Sequence, residues 1–310
     1  MSELDVGMIG VSEGNGHPYS FASIVNGYSD DGFQVSEWGV IHDYLREKDP
    51  SEFGFDGVAV THAWTQDEAE TECLCAAAQI PNAVDDRETL FDEVDAVVVA
   101  RDDYETHLDM ALPFLERGVP TFVDKPLAVD PDELATFRPY LEDGLCMSCS
   151  GMYLARELDE PRANLDPYGS VELVTGTIIK DWSKYGVHLL DAIFGVLDER
   201  PEAVSATETA TGRTAATIST TGDTTVQINT IGDAPITFDV DIYGSERVVH
   251  HALRDNFHAF RRTLWHFFEM VRTGEPQIPV EHTLDVLRTI IAGQQSMDVG
   301  ETIPVHEVSV

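Results

Sequence analysis

Lysine is nearly missing from this 310-residue chain, which has only Lys48, Lys125, Lys180 and Lys184, while arginine carries the rest of the positive charge. Basic residues as a whole are scarce: 19 stand against 56 acids, for a formal charge of −37 and a pI near 4.3. That field repels phosphate backbones and anionic bilayers, which argues against nucleic acid and membrane as partners. The acids run through helices and loops without forming a tail. In molar salt the Debye length falls to about 3 Å and such a surface stops repelling itself, so the composition suits a halophile's salt-rich cytoplasm. Long apolar runs are also missing, and Met1 to Val11 has neither the basic start nor the apolar core of a signal peptide. A soluble, cytoplasmic protein is the expectation. The four cysteines, Cys73, Cys75, Cys146 and Cys149, have spacings that point their thiols to different sides, so no metal site is read from them and four reduced, mostly buried thiols are expected.

The apolar pattern is that of an α/β protein. Asp5–Val11 reads as a strand, Ser12–Pro18 as a glycine-rich turn and Tyr19–Val25 as a helix, with Pro18 at its first position and Gly27 as its C-cap. A turn of this kind lets the backbone approach a pyrophosphate, which makes Gly10, Ser12, Gly14, Asn15 and Gly16 candidate cofactor residues. The glycine spacing is irregular, with Ser12 and Asn15 where G-x-G-x-x-G would have glycine. Residues 28–56 read as an insertion beside the loop, a possible flap. The next strand is Gly57–Ala63; Thr65 is the expected N-cap of the following helix, and Thr65 and Gln66 stand where an acid commonly holds the adenosine ribose. NAD or NADP therefore both remain open. A further strand, Asp95–Ala100, ends at Ala100, Arg101 and Asp102, with Arg101 either lining a nicotinamide pocket or pairing with Asp102.

The strand Val119–Val123 is followed by Asp124, Lys125 and Pro126, which delivers a lysine at the carboxyl end of a parallel strand, where ligands bind in such sheets. After a helix at 131–142 and a strand at 145–150 the pattern changes. Residues 171–180 and 203–249 give strands of alternating polarity, with helices at 182–195, 254–271 and 282–297, the last two expected to cover the second sheet. Two domains follow: a doubly wound parallel sheet over 1–150, and an α+β domain with an open, largely antiparallel sheet over 151–310. In the helix from 182, Lys184, His188 and Asp191 lie at i, i+4 and i+7 on one face, and a histidine between a cation and a carboxylate is suited to proton transfer. His17, beside a turn proline, reads more simply as a solvated ring; Trp265–Phe268 and His250–His251 read as structural.

Together, the dinucleotide turn, Asp124-Lys125-Pro126, Gly186-Val187-His188-x-x-Asp191, the DIYGS stretch at 241–245 and Thr273-Gly274-Glu275-Pro276 resemble the glucose-fructose oxidoreductase, inositol dehydrogenase and rhizopine catabolism (Gfo/Idh/MocA) family over essentially the whole chain. The resemblance implies a Rossmann domain binding NAD or NADP and hydride transfer at a hydroxyl or carbonyl carbon of a sugar, cyclitol or related polar substrate. Lys125 would touch nicotinamide and substrate, and His188 would exchange the hydroxyl proton. Departures mark a divergent branch: Asp124 for the usual glutamate, Lys184 where aspartate is frequent, Ser12 for glycine, and Arg101-Asp102 for threonine-proline. Lys184 suggests an anionic substrate. Two other readings stay open, a non-redox family enzyme (lyase, epimerase or glycosidase) using bound NAD transiently, and a non-catalytic nucleotide-binding regulator. Relatives pair through the second sheet, so a homodimer or homotetramer is the expected assembly.

Overall fold

The computed structural model describes residues 4–310. The chain divides into two compact units, one made of residues 1–124, 139–148 and 260–277, the other of 125–138, 149–259 and 278–310.

In the first unit six strands form a wholly parallel sheet: β1 (Leu4–Ile9), β2 (Val58–Trp64), β3 (Asn82–Ala83), β4 (Ala96–Val99), β5 (Thr121–Val123) and β6 (Cys146–Met147), in the order β3-β2-β1-β4-β5-β6. This is the order of dinucleotide-binding sheets, whose direction of winding reverses between β1 and β4 and leaves a crevice at their carboxyl ends. Strands buried on both faces need continuous apolar runs, and Val6, Met8, Ile9 and the valines of β4 are wholly buried. Helix His17–Asn26 follows β1 with Pro18 in its first turn, and Gly27 ends it by donating its N–H to Ser23 O.

Three local expectations are revised. The stretch 28–56 is folded, with helices Asp30–Phe33 and Gly39–Arg46 burying Phe33, Ile41 and Leu45. The helix after β2 begins at Glu68 and is capped by Asp67, whose carboxylate accepts from Glu70 N at 3.0 Å; the Thr65 hydroxyl is instead donated to Asp67 O at 2.7 Å. Helix Asn256–Thr273 presents its aromatic residues to the first unit, with Phe260 edge-on to Phe21, Phe267 beside Phe122 and Phe268 against Phe55, so from Phe260 onward it does not cover the second sheet.

The second unit holds a seven-stranded sheet of β7 (Val171–Ile178), β8 (Pro201–Glu208), β9 (Thr214–Thr220), β10 (Thr225–Thr230), β11 (Phe238–Gly244), β12 (Val248–Ala252) and β13 (Ile303–Pro304). Its order is β12-β11-β7-β10-β9-β8-β13, antiparallel throughout except where β7 meets β10. Helices Trp182–Phe194 and Val280–Val299 cover one face. Gly176 in β7 lets Leu189 and Ile193 come close, and Ser296 Oγ accepts from Ala206 N at 2.9 Å. On the other face Asp239 is paired with Arg254 at 2.8 Å and Asp241 with His250 at 2.9 Å. No helix among the described residues is long and apolar enough to cross a membrane. Cys146 and Cys149 are buried, Cys73 and Cys75 half-buried, so two of the four thiols are as secluded as expected.

Candidate functional site

In the first unit the candidate cofactor residues gather where β1, β2 and β4 end. Gly10 lies against the Pro18 ring and Gly16 against Trp38 and Ile41, in each case where a Cβ would collide. Gly14, at φ 77°, has open space where its Cβ would be. Side chains shape the turn from within. Ser12 donates its hydroxyl to Asp102 Oδ1 at 2.8 Å and accepts Asp102 N–H at 3.1 Å; Asn15 donates to Asp124 Oδ2 at 3.2 Å and accepts His17 N–H at 2.8 Å. With His17 N–H taken and Pro18 lacking one, the helix start offers few donors. The N–H groups of Glu13 and Gly14 at the tip of the turn have no acceptor among the described residues. An open backbone turn with unspent donors at the point where the sheet reverses fits a dinucleotide.

Arg101 is an interior strut. Its guanidinium donates to Asp103 by Nε at 2.9 Å and Nη2 at 2.5 Å, and by Nη1 to Val11 O at 2.8 Å and Gln66 Oε1 at 2.9 Å. The expected partner Asp102 is not among these, because it is held by Ser12. Ala100 is wholly buried, its N–H on Ile9 O at 2.8 Å, and the Thr65 hydroxyl is also shared with Thr71 at 2.9 Å. His17, expected to be solvated, instead lies 2.5 Å by Nδ1 from Asp124 Oδ2 and stacks on Phe21 with Phe260 at its edge. The sequence pattern could not reveal this, since Asp124 is 107 residues away.

In the second unit the candidate catalytic residues gather around helix Trp182–Phe194, whose N-cap Asp181 accepts Lys184 N–H at 2.9 Å. Lys125, joined to Pro126 by a cis peptide, is 4% exposed, and its Nζ lies 5.6 Å from the centre of the Tyr185 ring. His188, 8% exposed, meets the same ring at 5.4 Å and Phe238 at 5.6 Å. Lys184 and Asp191, on the same helix face by spacing, make no hydrogen bond to His188 among the described residues. His188 Nδ1 lies 2.6 Å from Ser150 Oγ, while Asp191 accepts Ser150 N–H at 2.6 Å and lies 2.9 Å from His282 Nε2. Asp191 points away from the histidine on its own helix because two buried donors claim its oxygens. Lys184 Nζ makes no hydrogen bond or ion pair among the described residues. Ser150, His282, Tyr185 and Tyr153, which packs on the His282 ring at 4.6 Å, were not foreseen. Ser150 carried one signal, its position at the end of the last strand read in the first half of the chain.

Comparison with known proteins bears on this arrangement. Residues 41–142 match the Gfo/Idh/MocA oxidoreductase family, described as having an NAD-binding Rossmann fold. That stretch of the chain is similar to the family. The chain has the same fold as a myo-inositol 2-dehydrogenase from Lactobacillus plantarum, at 15% identity and TM-score 0.76 over 98% of this chain and 99% of that one. A scyllo-inositol dehydrogenase from Lactobacillus casei, with bound NAD(H) and scyllo-inositol, is 12% identical at TM-score 0.75, covering 98% and 100% of the two chains. For a myo-inositol dehydrogenase from Corynebacterium glutamicum the values are 13%, 0.74, 97% and 98%. No protein of curated function matches in sequence.

Proposed function

We propose that this protein is a dehydrogenase, moving a hydride between NAD(H) or NADP(H) and a CH–OH or carbonyl carbon of a sugar, cyclitol or related polar small molecule, with Lys125 and His188 meeting the reacting oxygen. The observation that carries the proposal is the pairing of two nearly buried polar side chains, Lys125 and His188, against one aromatic ring, Tyr185. A few convergent polar groups set among apolar and aromatic side chains are the make-up of a ligand pocket. The inositol dehydrogenases of the same fold support the choice of a polyol-like substrate.

When bound, the nicotinamide supplies or accepts the hydride. The protein's part is to hold the substrate oxygen between Lys125 and His188 and to exclude water, with Tyr185 and Phe238 walling the histidine. Lys184 stands one turn before His188 on the same helix, and its Nζ has no partner among the described residues, so a carboxylate or phosphate on the substrate would find a cation there. The end of β2 offers no carboxylate for a ribose 2′-hydroxyl, and Arg101 is fully engaged by its own neighbours, so neither usual marker chooses between NAD and NADP.

The test is a titration of the purified protein in molar salt with NADH and NADPH, read by nicotinamide fluorescence, followed by a screen of polyols and sugar acids for absorbance change at 340 nm. Micromolar binding of one nucleotide and hydride transfer with a polyol are expected. Folded, cofactor-free protein that binds neither would sink the proposal.

A further inference from the structure

We infer that Ser150 is a positioning residue that keeps the ring hydrogen of neutral His188 on Nε2, so that the histidine meets the substrate oxygen as a hydrogen-bond donor and Lys125 exchanges the proton. The inference rests on the proposed pairing of Lys125 and His188 at the reacting oxygen.

The hydroxyl hydrogen of Ser150 decides the tautomer. Ser150 is wholly buried, at 0% exposure. Its N–H goes to Asp191 Oδ2, and its Oγ, capping the turn Gly151–Leu154, accepts Met152 N–H at 3.0 Å. That leaves the hydroxyl hydrogen. His188 Nδ1, at 2.6 Å, is the one acceptor it reaches among the described residues. A ring nitrogen accepts only when it carries no hydrogen, so in neutral His188 the hydrogen sits on Nε2. The opposite assignment, with Nδ1–H donating to Oγ, would strand the serine hydrogen in a dry site, which costs the desolvation of an unmade hydrogen bond. Asp191 cannot reverse the choice, because its oxygens already accept from Ser150 N–H and face His282. A histidine oriented by a carboxylate has its hydrogen on the nitrogen facing that carboxylate and its far nitrogen bare, ready to act as a base. A serine whose hydroxyl hydrogen has no other acceptor in reach imposes the reverse.

The chemistry changes accordingly. With an oxidised nicotinamide bound to take the hydride from the carbinol carbon, the O–H proton would pass to Lys125. In reduction both return. In each direction the Nε2–H of His188 steadies negative charge on the oxygen, the task of an oxyanion-hole donor.

The test is nitrogen NMR of the full chain labelled with 15N-histidine, near neutral pH, with His188→Gln used to assign the ring signals. A pyrrole-type Nε2 and a pyridine-type Nδ1 are expected for His188. Ser150→Ala should let the hydrogen populate both nitrogens, and Ser150→Thr, which keeps the hydroxyl, should restore the original pattern. A His188 hydrogen found on Nδ1 in the unaltered protein, or a pattern unmoved by Ser150→Ala, overturns the inference. If Ser150→Ala does not fold, the unaltered protein and Ser150→Thr still decide. The measurement needs neither substrate nor nucleotide, so its failure is separate from a failure to bind NADH.

Discussion

His17 in the first unit and His188 in the second are each held by Nδ1 at nearly the same distance, 2.5 Å to Asp124 and 2.6 Å to Ser150, yet the two partners assign them opposite work. A carboxylate only accepts, so the His17 hydrogen sits on Nδ1, and the ring, packed between Phe21 and Phe260, becomes a peg fixing the nucleotide turn to the end of β5. The Ser150 hydroxyl hydrogen has His188 Nδ1 as its one acceptor in reach among the described residues, so His188 keeps its hydrogen on the other nitrogen. The residue type alone does not reveal a histidine's role; its neighbour's hydrogen-bonding capacity does.

The largest expected effect lies on the chemical side of that contrast. Lys125→Met should lower turnover by roughly 10²- to 10⁴-fold with the unfolding midpoint little changed, measured by steady-state kinetics beside thermal melts. Unchanged turnover would remove Lys125 from the mechanism. On the structural side, Asp124→Ala strips two donors of their acceptor and should cost about 3 kcal/mol in urea unfolding while weakening NADH binding. If stability fell and nucleotide affinity did not, the peg would be structural only. His282→Phe leaves the buried Asp191 with one donor fewer and should cost about 1.5 kcal/mol; a neutral result would mean that water replaces the imidazole.

The smallest effect concerns a third histidine, one with a bare nitrogen. His266 Nδ1 is buried with no hydrogen-bond partner, and burial lowers the affinity of the ring for a proton against the opposing pull of Glu269. Burial acts likewise on His251, against the Glu157 carbonyl. Unfolded histidine takes up its proton near pH 6.5 while these folded rings resist, so the unfolded state binds more protons and stability falls as pH drops from about 6.5 toward their lowered values. His266→Leu should flatten that acid slope in urea titrations, and an unchanged slope would assign it elsewhere.

Much of this architecture is written locally. Apolar runs at 5–11 and 95–100, the lysine after the fifth strand and the period of the helix from 182 each follow from a few neighbouring residues, and all stand where expected. The partners of the key side chains are another matter. Asp124 and His17, Ser150 and His188, and Asp191 and His282 are 107, 38 and 91 residues apart, and no local period encodes such pairings. The i, i+4, i+7 spacing of Lys184, His188 and Asp191 fixes a helix face, while competition among donors decides which way each side chain turns. The short helices at 30–33 and 39–46 escaped notice because their glycines and polar caps interrupt any apolar stripe.

The path of the chain has a practical corollary for anyone dissecting the molecule. Backbone passes from one unit to the other at five places, after residues 124, 138, 148, 259 and 277. A fragment stopped at residue 150 would lack Phe260, Phe267 and Phe268, leaving Phe21, Phe122 and Phe55 facing solvent. No single protease cut or stop codon can release either half intact, and chimeras that exchange substrate preference between relatives need all five splice points matched.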